Sequence, residues 1–278
     1  MGDRWPALRV RLRVRDRQPA ADLTLALLDD FRPTGLDTSN DPWLVYFATA
    51  EARDRALGAI VGRLDEIGVS AETVDLPDEH WAERSQAALR AVRVGRLVIA
   101  PPWDAPAGPS ADTIVITPSF AFGTAHHAST RLCLHALQRV PVEGRRVLDV
   151  GTGSGVLAIA ASRLGAANVV GIESDPIAVE AARRNVADNP GARVEIVHGD
   201  AANAAMPSAD IVLANLTGAT VMAMADLLAD AVGGGGHVIV GGCTGDEGPA
   251  LDAALGTRLV RDRTDAEAGW IAQTWRRN

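Results

Sequence analysis

Residues 147–155 read Val-Leu-Asp-Val-Gly-Thr-Gly-Ser-Gly. Gly151, Gly153 and Gly155 alternate with small polar residues, and a backbone without β-carbons approaches a ligand more closely than any other. They follow an apolar run at 146–150 of the kind that forms a buried parallel strand. The segment 156–162 then opens a helix, so strand, turn and helix N-terminus together form a ligand cradle. A second apolar run at 168–172 ends in Glu173, about 20 residues past the first glycine, where a carboxylate takes ribose hydroxyls. The chemistry implied is nucleoside-cofactor binding. The bland alternative is tight helix–strand packing with no ligand.

The turn itself narrows the choice of nucleoside. A dinucleotide fingerprint places a third small residue where this chain has Val156, and the glycines here follow G-x-G-x-G. No Lys or Arg stands in the loop to meet a pyrophosphate, and Asp149 lies two residues before it. An acid at that point suits a cationic ligand, such as the sulfonium and amino group of S-adenosylmethionine. These features argue against a nicotinamide-dependent oxidoreductase.

Asn215 follows a further strand-like run in Leu213-Ala214-Asn215-Leu216-Thr217. In an open α/β sheet, ligands sit beyond the carboxyl ends of the strands, so Asn215 is expected to face the same crevice as Gly151. An amide there accepts a hydrogen bond from a nucleophilic amine and aims its lone pair at a methyl group; otherwise it merely satisfies a turn. Asp200, after a third strand, is a candidate acceptor for an adenine amino group or a simple loop cap. Residues 120–130, Phe-Ala-Phe-Gly-Thr-Ala-His-His-Ala-Ser-Thr, read as a glycine-containing loop entering a helix near Ser129 or Thr130. The loop suits a lid over the cofactor, and Thr130 either lends its hydroxyl to a cofactor group or caps the helix. Adjacent His126 and His127 have no carboxylate at ligand spacing, so no metal site is expected.

The elements that position these residues follow from periodicity. Leu8, Val10, Leu12 and Val14 alternate with Arg9, Arg11, Arg13 and Arg15, a half-buried strand with a basic outer face. Helices at 20–31 and 51–67 and strands at 35–38, 43–48 and 72–76 complete a β-α-β-β-α-β order, the ferredoxin-like pattern. A helix over 78–90 and strands at 94–100 and 113–117 come next. From 145 onward, strands at 147–150, 169–172, 194–197, 211–214 and 237–240 alternate with helices at 156–164, 176–189 and 219–232. That is a doubly wound parallel sheet, and strands at 259–263 and 270–275 close it with an antiparallel edge. The expected class is α/β, a Rossmann-like seven-stranded methyltransferase sheet with a small N-terminal α+β domain. The expected boundaries are 1–77 for the small domain, 78–112 for a linking helix and strand, and 113–278 for the large domain.

Composition bounds the rest. The 278 residues carry a net charge of −8, which disfavours bulk nucleic-acid binding. All 27 basic residues are arginine, a coding bias that leaves the chain no lysine of its own to modify. Two cysteines, Cys133 and Cys243, make no disulfide framework and fit a reducing cytosol. No apolar h-region opens the sequence and no apolar run reaches membrane-span length, so a soluble cytoplasmic protein is expected.

Three segments, 120–134, 149–160 and 213–216, resemble the motifs of the ribosomal protein L11 methyltransferases (PrmA type), which methylate amino groups of a large-subunit ribosomal protein. The resemblance extends to Trp81-Ala82-Glu83-Arg84 and to residues 93–103, and covers roughly 78–242, with the N-terminal third alike in architecture only. It implies that Thr130, Gly151, Glu173 and Asn215 hold S-adenosylmethionine, joined in the reading above by Asp149, Gly153 and Asp200. It also implies that ribosomal protein L11 is the partner, with no membrane, no required nucleic acid and a monomeric enzyme. Departures fall at Ala125, Ala128 and Ser129 in the lid, and at Thr152, Glu173, Leu216 and Thr217; Ala125 and Thr217 bear on the acceptor. The reaction expected is in-line displacement at a sulfonium methyl by a neutral amine. A lysine at pKa ~10.4 must lose a proton, at a cost of about 4.6 kcal/mol at pH 7. An apolar pocket lowers that cost by disfavouring the charge, and Phe120, Phe122 and Asn215 are its candidates. A related methyltransferase acting on another protein lysine or a small molecule, and a non-catalytic cofactor-binding module, are the alternatives.

Overall fold

A computed structural model of the chain describes residues 4–14, 20, 24, 28, 31, 33–37, 41–66, 68–77, 89–106, 112–118, 127–203 and 206–278. It divides into two compact units, Met1–Ser85 and Gln86–Asn278.

In the first unit, strands β1 (Arg4–Leu12), β2 (Gly35–Asp37), β3 (Trp43–Tyr46) and β4 (Val69–Pro77) form an antiparallel sheet in the order β2-β3-β1-β4. The alternation in β1 works as expected: Leu8, Val10 and Leu12 are buried with Val45 and Phe47. Helix α1 (Ala50–Glu66) covers that face through Ala56, Ile60 and Leu64, one turn apart. Of the expected helix 20–31, Ala20, Thr24 and Leu28 are helical and buried, and most of its other residues lie outside the described ones. The basic face is paired rather than bare. Arg9 and Arg11 reach Glu72 on β4 at 3.0 and 3.5 Å, exposed contacts worth at most about 1 kcal/mol each. β1 starts at Arg4 and ends at Leu12, earlier than the arginine alternation suggested, because its nine residues pair continuously with β4.

The second unit holds seven strands: β8 (Arg146–Val150), β9 (Asn168–Glu173), β10 (Val194–His198), β11 (Ala209–Asn215), β12 (Val232–Thr244), β13 (Val260–Glu267) and β14 (Trp270–Arg276). Their order is β10-β9-β8-β11-β12-β14-β13, with β14 antiparallel to both of its neighbours. Alternate residues feed two cores. Val147, Ile211, Leu213 and Ile239 pack under α2 (Ala128–Leu137) and α3 (Val156–Arg163). Leu148, Val150, Val212 and Val240 pack under α6 (Ala225–Ala231) and α7 (Gly248–Leu255), with α4 (Pro176–Ala187) set against β9 and β10. The expected helix 219–232 is interrupted at Met224, leaving α5 (Gly218–Ala223) ahead of α6.

The strand expected at 94–100 is instead a hairpin. Gly95, at φ +60°, turns β5 (Val92–Val94) into β6 (Leu97–Ala100), and β6 runs parallel to β7 (Thr113–Val115). The expected helix over 78–90, including Trp81, lies outside the described residues save for its last two positions, which are not helical. Among the described residues, no helix is long and apolar enough to cross a membrane.

Candidate cofactor and acceptor site

The glycine turn leaves β8 with two backbone bonds to β9: Gly151 N and Thr152 N both donate to the Ile172 carbonyl, at 2.9 and 3.0 Å. Gly151, Gly153 and Gly155 have φ of +68°, +55° and +81°, values that L side chains rarely adopt. A β-carbon on Gly151 would also lie 2.4 Å from Leu216 Cδ2, so positive φ at all three positions and close approach at the first both favour glycine. Glu173 ends β9 and accepts from Gly153 N at 2.9 Å, and from Ser174 N and Asp175 N at 2.9 and 3.1 Å. Its carboxylate is thus fixed against the turn; Oε1 accepts two of these bonds and Oε2 one, so Oε2 keeps a lone pair for a ligand hydroxyl.

Asp149 is buried, and one of its oxygens accepts from the Thr152 hydroxyl at 2.6 Å and from Ala158 N at 3.2 Å. That oxygen is therefore an anchor between the turn and α3. Burial pushes the carboxyl up to about 6; the Thr152 and Ala158 bonds oppose the rise, and the Glu173 charge adds to it. The folded value lies above the ordinary 3.8, so the native state binds the extra proton between the two values. The contribution of this group to stability therefore declines as pH rises through that window and is level above it. In Asp149→Asn, the melting temperature is expected to lose that downward slope between about pH 4 and 6. Parallel parent and variant profiles would show that Asp149 titrates alike in the folded and unfolded chain.

Asn215, the last residue of β11, donates from Nδ2 to Thr130 Oγ1 at 3.3 Å. Its Oδ1 is buried and has no hydrogen-bond partner among the described residues. A buried acceptor left open is costly, on the order of 1–3 kcal/mol, and marks a place where a donor is missing. Thr130 lies within the first turn of α2, whose cap is His127. The His127 ring accepts from Ser129 N at 3.4 Å and meets the Trp270 ring edge-on at 4.5 Å. The helix thus starts slightly earlier than expected, and Thr130 is free of capping duty.

Two glycines that the sequence did not single out shape the same corner. A β-carbon on Gly241 would stand 2.3 Å from Cys133 Sγ and 3.3 Å from Asn215 Oδ1. One on Gly242, at φ +76°, would stand 2.3 Å from the Leu216 carbonyl and 3.1 Å from Asn215 Oδ1. The only signal was a Gly-Gly pair directly after the strand-like run 237–240. Asp200, by contrast, closes its own turn, accepting from Ala202 N at 2.9 Å and Asn203 Nδ2 at 2.6 Å. Phe120 and Phe122 lie outside the described residues.

The profile of the family described as Ribosomal protein L11 methyltransferase (PrmA) matches residues 43–278. The chain belongs to that family. It is 39% identical over 216 residues to the Ribosomal protein L11 methyltransferase of Deinococcus radiodurans, covering 72% of this chain and 78% of that one. The protein of the same description from Symbiobacterium thermophilum is 37% identical over 198 residues, 70% of this chain but only 65% of the relative's own length. A crystal structure of ribosomal protein L11 methylase from Lactobacillus delbrueckii subsp. bulgaricus superposes with a TM-score of 0.62 at 26% identity. That match covers 68% of this chain and 98% of the other. The seven-stranded sheet is therefore the methyltransferase fold expected from the sequence. Within this L11 methyltransferase family member, Thr130 touches Asn215, the adjoining Leu216 packs on Gly151, and Glu173 holds Gly153, so one corner gathers all six.

Proposed function

We propose that the chain transfers methyl groups from S-adenosylmethionine to lysine side-chain or N-terminal amines of ribosomal protein L11. The observation that carries this reading, in a member of that family, is the buried, unpartnered Asn215 Oδ1 at the carboxyl end of β11. The residues present fit the cofactor: a cradle that β-carbons would fill, two carboxylates, and no cationic side chain in the turn.

When bound, S-adenosylmethionine supplies a methyl already activated on a cationic sulfur. The turn from Gly151 to Gly155 and the Glu173 carboxylate hold the nucleoside, and Asp149 and Glu173 set a negative field suited to the cation. Asp200 receives the adenine amino group, and Phe120 and Phe122, outside the described residues, are the candidates that the sequence offers for an apolar amine pocket. Thr130 fixes the Asn215 amide so that Oδ1 accepts one N–H of the entering amine and directs its lone pair. Deprotonation precedes transfer, helped by the apolar surroundings, with water as the proton acceptor. Residues 1–77 recognise the protein substrate, 78–112 connect, and 113–278 carry the chemistry. The enzyme works in the cytoplasm as a monomer and without nucleic acid.

Incubation with methyl-labelled S-adenosylmethionine and ribosomal protein L11, followed by mass spectrometry, tests the proposal. Label on lysine or the N-terminal amine of L11 is expected. Cofactor binding by calorimetry without transfer to L11 would reject the substrate while keeping the site.

A further inference from the structure

Strand β7 is the outer strand of its three-stranded sheet, and side chains from α4 and from just past its C-terminal cap meet its open edge. Val115 N donates to Asn189 Oδ1 at 2.9 Å, and the Val115 carbonyl accepts from Asn189 Nδ2 at 2.7 Å. Two residues on, Thr117 N donates to Asn185 Oδ1 at 3.0 Å. Asn185 lies on α4 and Asn189 just past its Asp188 cap, while Val115 ends β7 and Thr117 lies two residues beyond; the matching advance of ~6 Å and ~6.6 Å lets the two amides take the place of a neighbouring strand. Both asparagines are about 1% exposed.

Asn189 turns its remaining donor capacity back on α4, to the Asn185 carbonyl at 2.7 Å. Asn185 turns its Nδ2 elsewhere, to the Ser154 carbonyl at 2.8 Å, between Gly153 and Gly155. Those three residues include two glycines at positive φ, which are intrinsically mobile. Two side chains from outside the turn hold them, Glu173 at Gly153 N and Asn185 at Ser154 O. From this arrangement we infer that Asn185 is a positioning residue for the cofactor turn. It preorganises the turn for binding and ties it to the edge of β7, whereas Asn189 serves the strand alone. The inference rests on reading the turn as the cofactor site.

The matched variants Asn185→Asp and Asn189→Asp make the same isosteric change four residues apart, each losing the side-chain donor. S-adenosylhomocysteine affinity, measured by calorimetry, is expected to fall at least about tenfold for Asn185→Asp and less than about threefold for Asn189→Asp, because lost preorganisation appears directly as lost affinity. Similar melting temperatures for the two variants would separate this from a loss of stability. Equal affinities in parent and Asn185→Asp would overturn the inference while leaving the cofactor site standing; no binding by the parent would overturn the site and the inference together. Should Asn185→Asp fail to fold, amide exchange in the parent decides. Ligand is expected to slow the Thr117 amide more than that of Arg261 on β13, and equal slowing would overturn the coupling.

Discussion

Asn215→Ala is expected to lower turnover by about 100- to 1,000-fold while S-adenosylhomocysteine affinity changes less than about threefold, because the lost group acts on the amine rather than on the nucleoside. Among the described residues the side chain bonds through Nδ2 to Thr130 and leaves Oδ1 buried without a partner. Removing the amide removes an unmet acceptor, so folding stability is not expected to suffer. Single-turnover rates set against calorimetric affinities check the split. A variant that loses affinity and rate in equal proportion would make Asn215 a cofactor ligand without an aiming role. Thr130→Val should move in the same direction by a smaller factor, since it frees the amide to rotate without deleting it.

Gly242→Ala is expected to reduce both stability and turnover. Its φ of +76° costs an L residue about 1–2 kcal/mol, and the new β-carbon would lie 2.3 Å from the Leu216 carbonyl. That oxygen is backbone, and Leu216 N is itself held by the Gly241 carbonyl at 3.1 Å, so relief requires moving the Asn215–Leu216 segment. Together the two effects amount to roughly 3 kcal/mol, equivalent to a fall in melting temperature of roughly 6–12 °C for a unit of this size. Displacing Asn215 by even an ångström adds a loss of rate of about 100-fold. Thermal melts and single-turnover assays read the two consequences separately. A variant as stable as the parent would mean that the β12 turn relaxes without touching Asn215.

The parts of this architecture that could be read in advance were those written locally. The alternation of Leu8, Val10 and Leu12, the apolar runs of the parallel strands and the Gly151–Gly155 spacing each signal themselves within ten residues. What stayed hidden depends on partners far away in sequence. Asn185 and Asn189 look like ordinary polar positions on a helix until Val115 and Thr117, about 70 residues earlier, are placed beside them. Asp149 read as a ligand-facing charge, and its inward Oδ2 follows from a hydroxyl and an amide that only the folded turn brings to it. Gly95 broke one expected strand into two because a lone glycine in an apolar run is compatible with either. The helix cap at His127 was missed because histidine is not among the usual capping types.

The insertion of β14 between β12 and β13 also dictates an order of assembly. β13 precedes β14 in the chain yet pairs with β14 alone among the strands of its sheet, so it joins the sheet only through β14. The pair must therefore arrive as a preformed hairpin around Gly269, at φ +83°, or in reverse of chain order. By either route, Trp275 and Ile271 reach their buried positions only when β14 pairs with β12. β13 thus cannot stay in the methyltransferase sheet without β14.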